Sequence, residues 1–509
     1  MSSRPTHPPH LGDRAPSVTD PVVSSASHVA GGPLGRYAVP SARGWRTIGT
    51  WLVAASALPM ALGVWQRGYC IEGGWRTPDQ FFHMCFSDLP ATFAAADLGA
   101  GVGAFLTGAA GAPTPAQPPL TALVLTVTGG LIPFGSPDDQ ARWFFGIWAV
   151  LAAVLVALLT WWTAGSLRRI PLRASHVALS PVVALTTLVA PDVLGVALAA
   201  AGLYAWSRSR VGWAGVLLGL AIAARSYPLL LVLAVLFVAA RAGRTRSALR
   251  MAGIAVVTAL AVYAVVAVRN PSGAIAALTA WRDAGAGLGS PWVLPLLAGS
   301  ALPPVAVTAL AVAGWVLAIL AGATFALSAR RRPAIAEVAL VMVVVVLVTG
   351  ASFPVQASLW LVPLVALVGL PWRDHLWWAG AEALHFGAVW LYLASDSVAD
   401  RGLPAGWYAL TLFTRLVAVC WLGYAAWRRA VRRHPDVTQD ERGVQADPAT
   451  EPATDHEGET DPLVAADRWP ARQADALLDP EALTESDGEV DPLAGPLAGA
   501  ADSLVVRFR

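Results

Sequence analysis

The stretch Gly215-Val216-Leu217-Leu218-Gly219-Leu220-Ala221-Ile222-Ala223-Ala224-Arg225-Ser226-Tyr227-Pro228-Leu229-Leu230-Leu231-Val232-Leu233-Ala234-Val235-Leu236-Phe237-Val238-Ala239-Ala240 decides the fold. It sits in a run of 29 apolar-dominated residues, 212–240, interrupted only at Arg225–Pro228. Proline removes a backbone donor and starts a helix better than it continues one. The run therefore reads as two short apolar helices meeting at a turn that carries Arg225. Arg208 and Arg210 precede it, and Arg241, Arg244, Arg246 and Arg250 follow it. Apolar segments bracketed by arginines at one end and turning at the other are membrane hairpins, with the arginine end cytoplasmic.

The rest of the chain agrees. Of 509 residues, 56% are hydrophobic and 13% charged, and the mean hydropathy is +0.57. Soluble domains carry about 25% charged residues, so a soluble enzyme, a secreted disulfide scaffold and a disordered chain are excluded. Lysine is absent: all 35 basic residues are arginine. That excludes lysine Schiff-base chemistry and a Walker-type phosphate loop. The formal charge of +2 hides a split, because residues 435–509 hold 18 of the 33 acids and five of the basic residues. The basic remainder does not point to nucleic acid, since its arginines stand at the ends of apolar runs.

Read along its length, the chain is expected to be an all-α polytopic membrane protein. Residues 1–42 read as a disordered cytoplasmic N-terminus and 435–509 as a disordered acidic cytoplasmic tail, with Leu504–Phe508 a short apolar end able to dock. The membrane domain is 43–434. Its first helix, about 47–66, is read as retained, because no small-residue cleavage site follows it. A long outer loop, 67–141, follows. Within it, 118–134 is either a spanning helix or one that lies in the interface or re-enters. Parity favours the second, because one crossing at about 142–165 already returns the chain to Arg168, Arg169 and Arg173. Alternation of apolar runs and arginine clusters then gives about 12 crossings, with both termini cytoplasmic in the cell membrane.

Ionisable groups in or beside a bilayer are costly, which makes their positions informative. By this topology Asp88, Asp192, Arg225 and the Arg282–Asp283 pair all fall on the outer side, and the last of these reads equally well as a plain internal ion pair. A carboxylate such as Asp88 can act as a general base, though Ser87 or Asp88 also suits a plain helix cap before Leu89-Pro90. Asp192 after Pro191 has the same two readings. Arg225 can bind phosphate in bidentate fashion or snorkel to the interface. Cys70 and Cys85 share the outer loop, where an oxidising exterior favours a disulfide, with free thiols as the alternative. Cys420 is expected to pack in the last helix. His83, His375 and His385 are scattered and suggest no metal site. Glu382 and His385, three apart on one helix, are expected to form a buried polar pair.

An ordered set of motifs resembles a known family. It comprises Cys85-Phe86-Ser87-Asp88-Leu89-Pro90, Gln117-Pro118-Pro119-Leu120-Thr121, Ala178-Leu179-Ser180-Pro181 leading to Asp192-Val193-Leu194, and Ala224-Arg225-Ser226-Tyr227-Pro228. Together these resemble the GT-C polytopic glycosyltransferases, specifically glycosyltransferase family 87, the polyprenyl-phosphate-mannose-dependent mannosyltransferases, over about residues 46–428. The resemblance implies that Asp88 is the catalytic base and that Asp192 lines the same cavity. It puts Arg225, where relatives carry lysine, near the lipid phosphate or in a structural role. Trp281-Arg282 and Gly289-Ser290-Pro291-Trp292 resemble a later outer-loop pattern. Gln356 and Leu359-Trp360-Leu361-Val362-Pro363 resemble the stretch that opens a later helix. Arg282, Gln356 and Trp360 are thereby implied as substrate-binding residues. The chain departs from the pattern at Gly350-Ala351, Ala357 and Ala190-Pro191.

The function so implied moves a sugar, mannose in the family, from a polyprenyl phosphate to an acceptor hydroxyl of a glycolipid or glycan on the extracytoplasmic face, with inversion. No cofactor is required. A divalent cation is conceivable but not indicated. Two other classes fit the same composition: a secondary transporter or lipid flippase, and a non-catalytic membrane scaffold.

Overall fold

The computed structural model describes residues 20–31, 44–108, 115–398, 401–432 and 491–506. Among them every regular element is helical. Five helices are long and apolar enough to cross a membrane: Trp45–Gln66, Pro137–Ser166, Thr245–Ala267, Pro304–Ser328 and Ala405–Val431. A sixth candidate is a pair, Asp88–Ala95 and Leu98–Thr107, bent by 68°. Such a bend is that of a broken span or of a re-entrant loop. The other apolar helices are shorter: Pro119–Gly129, Asp192–Ser207, Val211–Ala224, Pro228–Arg241, Ile335–Thr349 and Val355–Val368. At 1.5 Å per residue, fourteen residues rise only about 21 Å, short of a hydrocarbon core of about 30 Å. Length and composition thus carry five or six spans. A count of twelve needs the short helices too. Pro119–Gly129 rises about 16 Å, well under a full crossing.

The short helices form the centre of the bundle. Asp192–Ser207 is buried along nearly its whole length, which its run of alanines and glycines permits. Val211–Ala224 packs between it and Thr245–Ala267 through Gly215 and Gly219. A Cβ on Gly215 would come 2.7 Å from the Met251 carbonyl oxygen, and one on Gly219 2.5 Å from that of Ala255. Small residues four apart are how membrane helices bring their backbones together.

Polar residues brace the core. Arg415 is fully buried and reaches Glu382, also buried, at 2.9 Å. Its guanidinium also donates to the Phe353 and Pro354 carbonyls and the Ser358 hydroxyl. Glu382 accepts a second bond from the Trp378 indole at 3.0 Å. The expected partner of Glu382 was His385. Instead, Glu382 pairs with Arg415, whose permanent charge compensates a buried carboxylate, and His385 lies against Tyr408.

Three further expectations are corrected. Pro21–Gly31 is a helix inside the span read as a disordered N-terminus. The buried Asp20 caps its start and accepts from the Trp372 amide at 2.6 Å. Residues 491–506, within the supposedly disordered tail, pack on the bundle, with Leu493 and Leu497 buried. The remainder of the 1–42 and 435–509 readings lies outside the described residues. Cys420 is exposed on the last helix rather than packed.

Candidate active site

Two outer segments meet first. Ser87 is extended and caps the Asp88–Ala95 helix, its hydroxyl accepting from the Leu89 amide. It also donates to the Leu188 carbonyl at 2.8 Å, and the Asp88 amide donates to the Val189 carbonyl at 2.7 Å. The first outer loop is thus stitched to the turn before Asp192. Since Ser87 does the capping, the Asp88 carboxylate is left for other work. It makes no side-chain hydrogen bond or ion pair among the described residues.

Cys70 and Cys85 are disulfide-bonded, with Cα atoms 5.8 Å apart. A loop of this length closed by a disulfide is worth about 3 kcal/mol in the chain-entropy model. The Gln66 amide donates to the Met84 carbonyl. Arg142 donates to the carbonyls of Ile71 at 2.8 Å and Glu72 at 2.9 Å. The strand of chain that delivers Asp88 is therefore held at both ends.

Asp192 opens its helix and is buried. One oxygen accepts from Arg225 at 2.7 Å and the other from the Trp360 indole at 3.1 Å. Arg225 is extended at the end of Val211–Ala224 and gives a second bond, 2.6 Å, to the Gln117 side-chain carbonyl. Gly195 lets it lie there, since a Cβ at that position would stand 2.9 Å from the Arg225 Cγ. Thr121 donates to the Ala224 carbonyl at 2.9 Å, so Gln117 and Thr121 both fasten the interfacial segment to this turn. Tyr227 stacks on Trp360 with ring centroids 4.5 Å apart.

The electrostatics tie Asp88 to this pair. It stands at the first position of the bent pair, outside the five long helices, and its pKa is pushed up to about 6. Burial is the main cause, the Asp192 charge adds to it, and the Arg225 charge opposes it. A carboxylate poised near neutrality is suited to taking a proton.

The arrangement brings together four of the residues expected from sequence: Asp88, Asp192, Arg225 and Trp360. Gln356 lies on the same Val355–Trp360 turn as Trp360 and is half-buried, without a side-chain hydrogen bond among the described residues. Arg282 does not join them. It pairs with Asp283 at 2.8 Å on the exposed end of Pro271–Asp283, because neighbouring opposite charges on a solvated surface satisfy each other. Arg225 is also more constrained than expected, since a phosphate would have to compete for it with Asp192. Gln117 and Tyr227 belong to the cluster although sequence reasoning did not choose them as site residues. A neutral amide and a tyrosine cost less in apolar surroundings than a charge does, and so mark themselves less in the sequence. Among the described residues no group of three or more His, Cys, Asp or Glu is placed to hold a metal ion.

The sequence matches no protein-family model and no curated protein. The site must therefore be read from its own chemistry.

At the opposite end of the same short helices lie their arginines. Asp192–Ser207 starts at the carboxylate cluster and ends at Arg208. Pro228–Arg241 starts at Tyr227 and ends at Arg241.

Proposed function

We propose that the protein is a membrane glycosyltransferase that moves a sugar from a polyprenyl phosphate to an acceptor hydroxyl on the extracytoplasmic face. Mannose is the sugar to which the family resemblance points. The observation that carries the reading is the unpaired Asp88 carboxylate beside the Asp192–Arg225 ion pair, in a cluster assembled from four distant stretches of sequence. The positive-inside rule puts the arginine ends of the helices in the cytoplasm and this cluster outside, with both termini cytoplasmic across about twelve crossings.

The chemistry needs little. The donor's hydrocarbon stays in the bilayer, so the reacting carbon must sit at the interface. Its leaving group departs as a phosphate anion and needs no general acid, unlike the two-carboxylate hydrolases. Asp88 takes the proton of the acceptor hydroxyl as that oxygen bonds to the anomeric carbon and the carbon–phosphate-oxygen bond breaks, with inversion. The Asp192–Arg225 pair sets the local charge and holds Trp360 at the wall. Trp360, stacked on Tyr227, and the half-buried Gln356 supply a flat face and an amide for the sugar.

The test is incubation of membranes with radiolabelled polyprenyl-phosphate mannose and an extract of envelope acceptors. The wild type should transfer label and Asp88→Asn should lose transfer by at least about a hundredfold, with the folded protein equally abundant. Transfer by the variant at the wild-type rate would remove the base assignment.

A further inference from the structure

A cavity of about 340 Å³ opens at the arginine end of the bundle, on the side remote from Asp88. Three separate stretches wall it: Gly165–Arg173 after the long Pro137–Ser166 helix, Ser207 and Arg208 at the end of Asp192–Ser207, and Asp491–Ala498 of the docked tail. Four arginines, Arg168, Arg169, Arg173 and Arg208, are among its lining residues, with one acid, Asp491. The Asp491 oxygens accept from the Ile335 and Leu493 amides, both at 2.9 Å, which fastens the tail wall to the bundle. Arg169 and Arg173 have contacts of their own, so the argument rests on Arg168 and Arg208. Arg168 lies over the Trp45 ring, 5.3 Å from its centroid, a placement that holds the guanidinium without neutralising it.

Arginines at the cytoplasmic ends of membrane helices ordinarily spread over the surface. Here they converge from two elements on one hollow, and a third element closes it. Burial and the nearby Arg168 and Arg210 charges both push Arg208 below its ordinary pKa, the direction expected where cations are crowded. Guanidinium is the side chain best matched to a phosphate oxygen pair.

We propose that this cavity is a binding site for a phosphate ester, taken either as the headgroup of an anionic lipid or as a free phosphate compound. Arg168 and Arg208 hold the phosphate, and the Asp491–Ala498 segment forms the lid of the site. Ligand and tail then stabilise each other, since a ligand that needs the tail wall binds only the docked form. This site is separate from the carboxylate cluster and does not depend on the reaction proposed there.

The experiment uses the full chain in detergent, with native mass spectrometry after addition of phosphatidylglycerol or phosphatidylcholine. Two variants are compared with the wild type. Arg168→Gln with Arg208→Gln removes the charges. Ala494→Phe fills the cavity and keeps every arginine. The wild type should retain phosphatidylglycerol at least about fivefold better than either variant and better than it retains phosphatidylcholine. Thermal melts without lipid check that both variants are folded, as expected for substitutions at partly exposed positions. Glycerol 3-phosphate identifies the source. Displacement of the lipid by it marks the phosphate ester itself as the recognised group, and failure to displace marks the lipid headgroup. Equal retention by wild type and both variants overturns the proposal. So does loss in the arginine variant alone with Ala494→Phe unaffected, because that is a charged surface and no cavity.

Discussion

On the proposed reading Asp88 is the base, and its titration gives that reading a signature. Its pKa of about 6 means that log kcat/KM for transfer should fall by about one decade per pH unit below that value and flatten above it. Its neighbours move the limb in opposite directions. Asp192→Asn removes a negative charge and should shift the limb to lower pH, while Arg225→Gln removes a positive one and should shift it higher. Identical shifts in the two variants would show that neither charge acts on the base. Stability follows with the reverse sign from an ordinary carboxylate. The folded pKa lies above the unfolded one, so the folded state holds the proton more tightly. This contribution is fully present below about pH 4 and is lost as pH rises through about 6. Asp88→Asn should therefore melt no lower than the wild type at pH 7.5, and a lower Tm would contradict the burial argument.

Charges in apolar sequence made Asp88, Asp192 and Arg225 legible. At Arg282–Asp283 the same signal allowed two readings, a site and a plain ion pair, because adjacent opposite charges read alike whether they face a site or water, and the structure shows the pair. Which groups would bond to which was hidden. Nothing in the sequence says that Arg225 spends a donor on Gln117, or that Trp360 turns its indole N–H to Asp192.

At the scale of elements, the turn that carries Gln356 and Trp360 depends on a residue far along the chain. Arg415, on the last long helix, binds the carbonyls of Phe353 and Pro354 and the hydroxyl of Ser358 while pairing with Glu382. The Gly289 amide donates to Tyr408 at 2.9 Å, and the Phe353 amide to the Leu288 carbonyl at 3.2 Å, so the two loops around Gly289 and Phe353 are drawn to the same root. Removing one partner of a buried ion pair strands the other, at about 3–5 kcal/mol. Arg415→Met should thus cost about that much stability, while Arg415→Met with Glu382→Leu should recover much of it. Chemical denaturation of the purified variants measures both. A double variant no more stable than the single one would mean that Arg415 acts through the loop carbonyls alone. Helix boundaries were readable from the apolar runs and their prolines. Span lengths were not, because alternation of charge gives the direction of a segment and says nothing of how much of it is helical.

For the molecule as a whole, the two ends of the bundle differ in charge, and residues 491–506 are built into one of them. Averaged over 75 residues, 435–509 is an acidic sequence that cannot bury a core. That average conceals Leu493 and Leu497, four apart, and a final aspartate. Asp502 meets Arg241 at 2.7 Å. Arg241 is fully buried and also donates to the Ala326 and Ala329 carbonyls at 3.0 and 2.8 Å. The Ser503 amide donates back to the Arg241 carbonyl at 2.8 Å, and the Val506 amide to the Leu327 carbonyl at 3.0 Å. These contacts join the ends of two helices, Pro228–Arg241 and Pro304–Ser328, through this one segment. Asp502→Ala leaves the Arg241 charge buried without its acid. Asp502 retains 31% exposure of its side chain, so water relieves part of the penalty, and the cost should fall below that of a fully buried pair, at about 1–2 kcal/mol. Hydrogen exchange gives the decisive measurement. In the wild type the amides of Ser503 and Val506 should be protected, as backbone donors in a packed strap. In Asp502→Ala they should exchange faster together with those of Leu493 and Leu497, while the Asp192–Ser207 helix keeps its protection. Exchange of the strap at the same rate in both proteins would mean that the leucines alone hold it, and that the buried arginine is satisfied by its carbonyls.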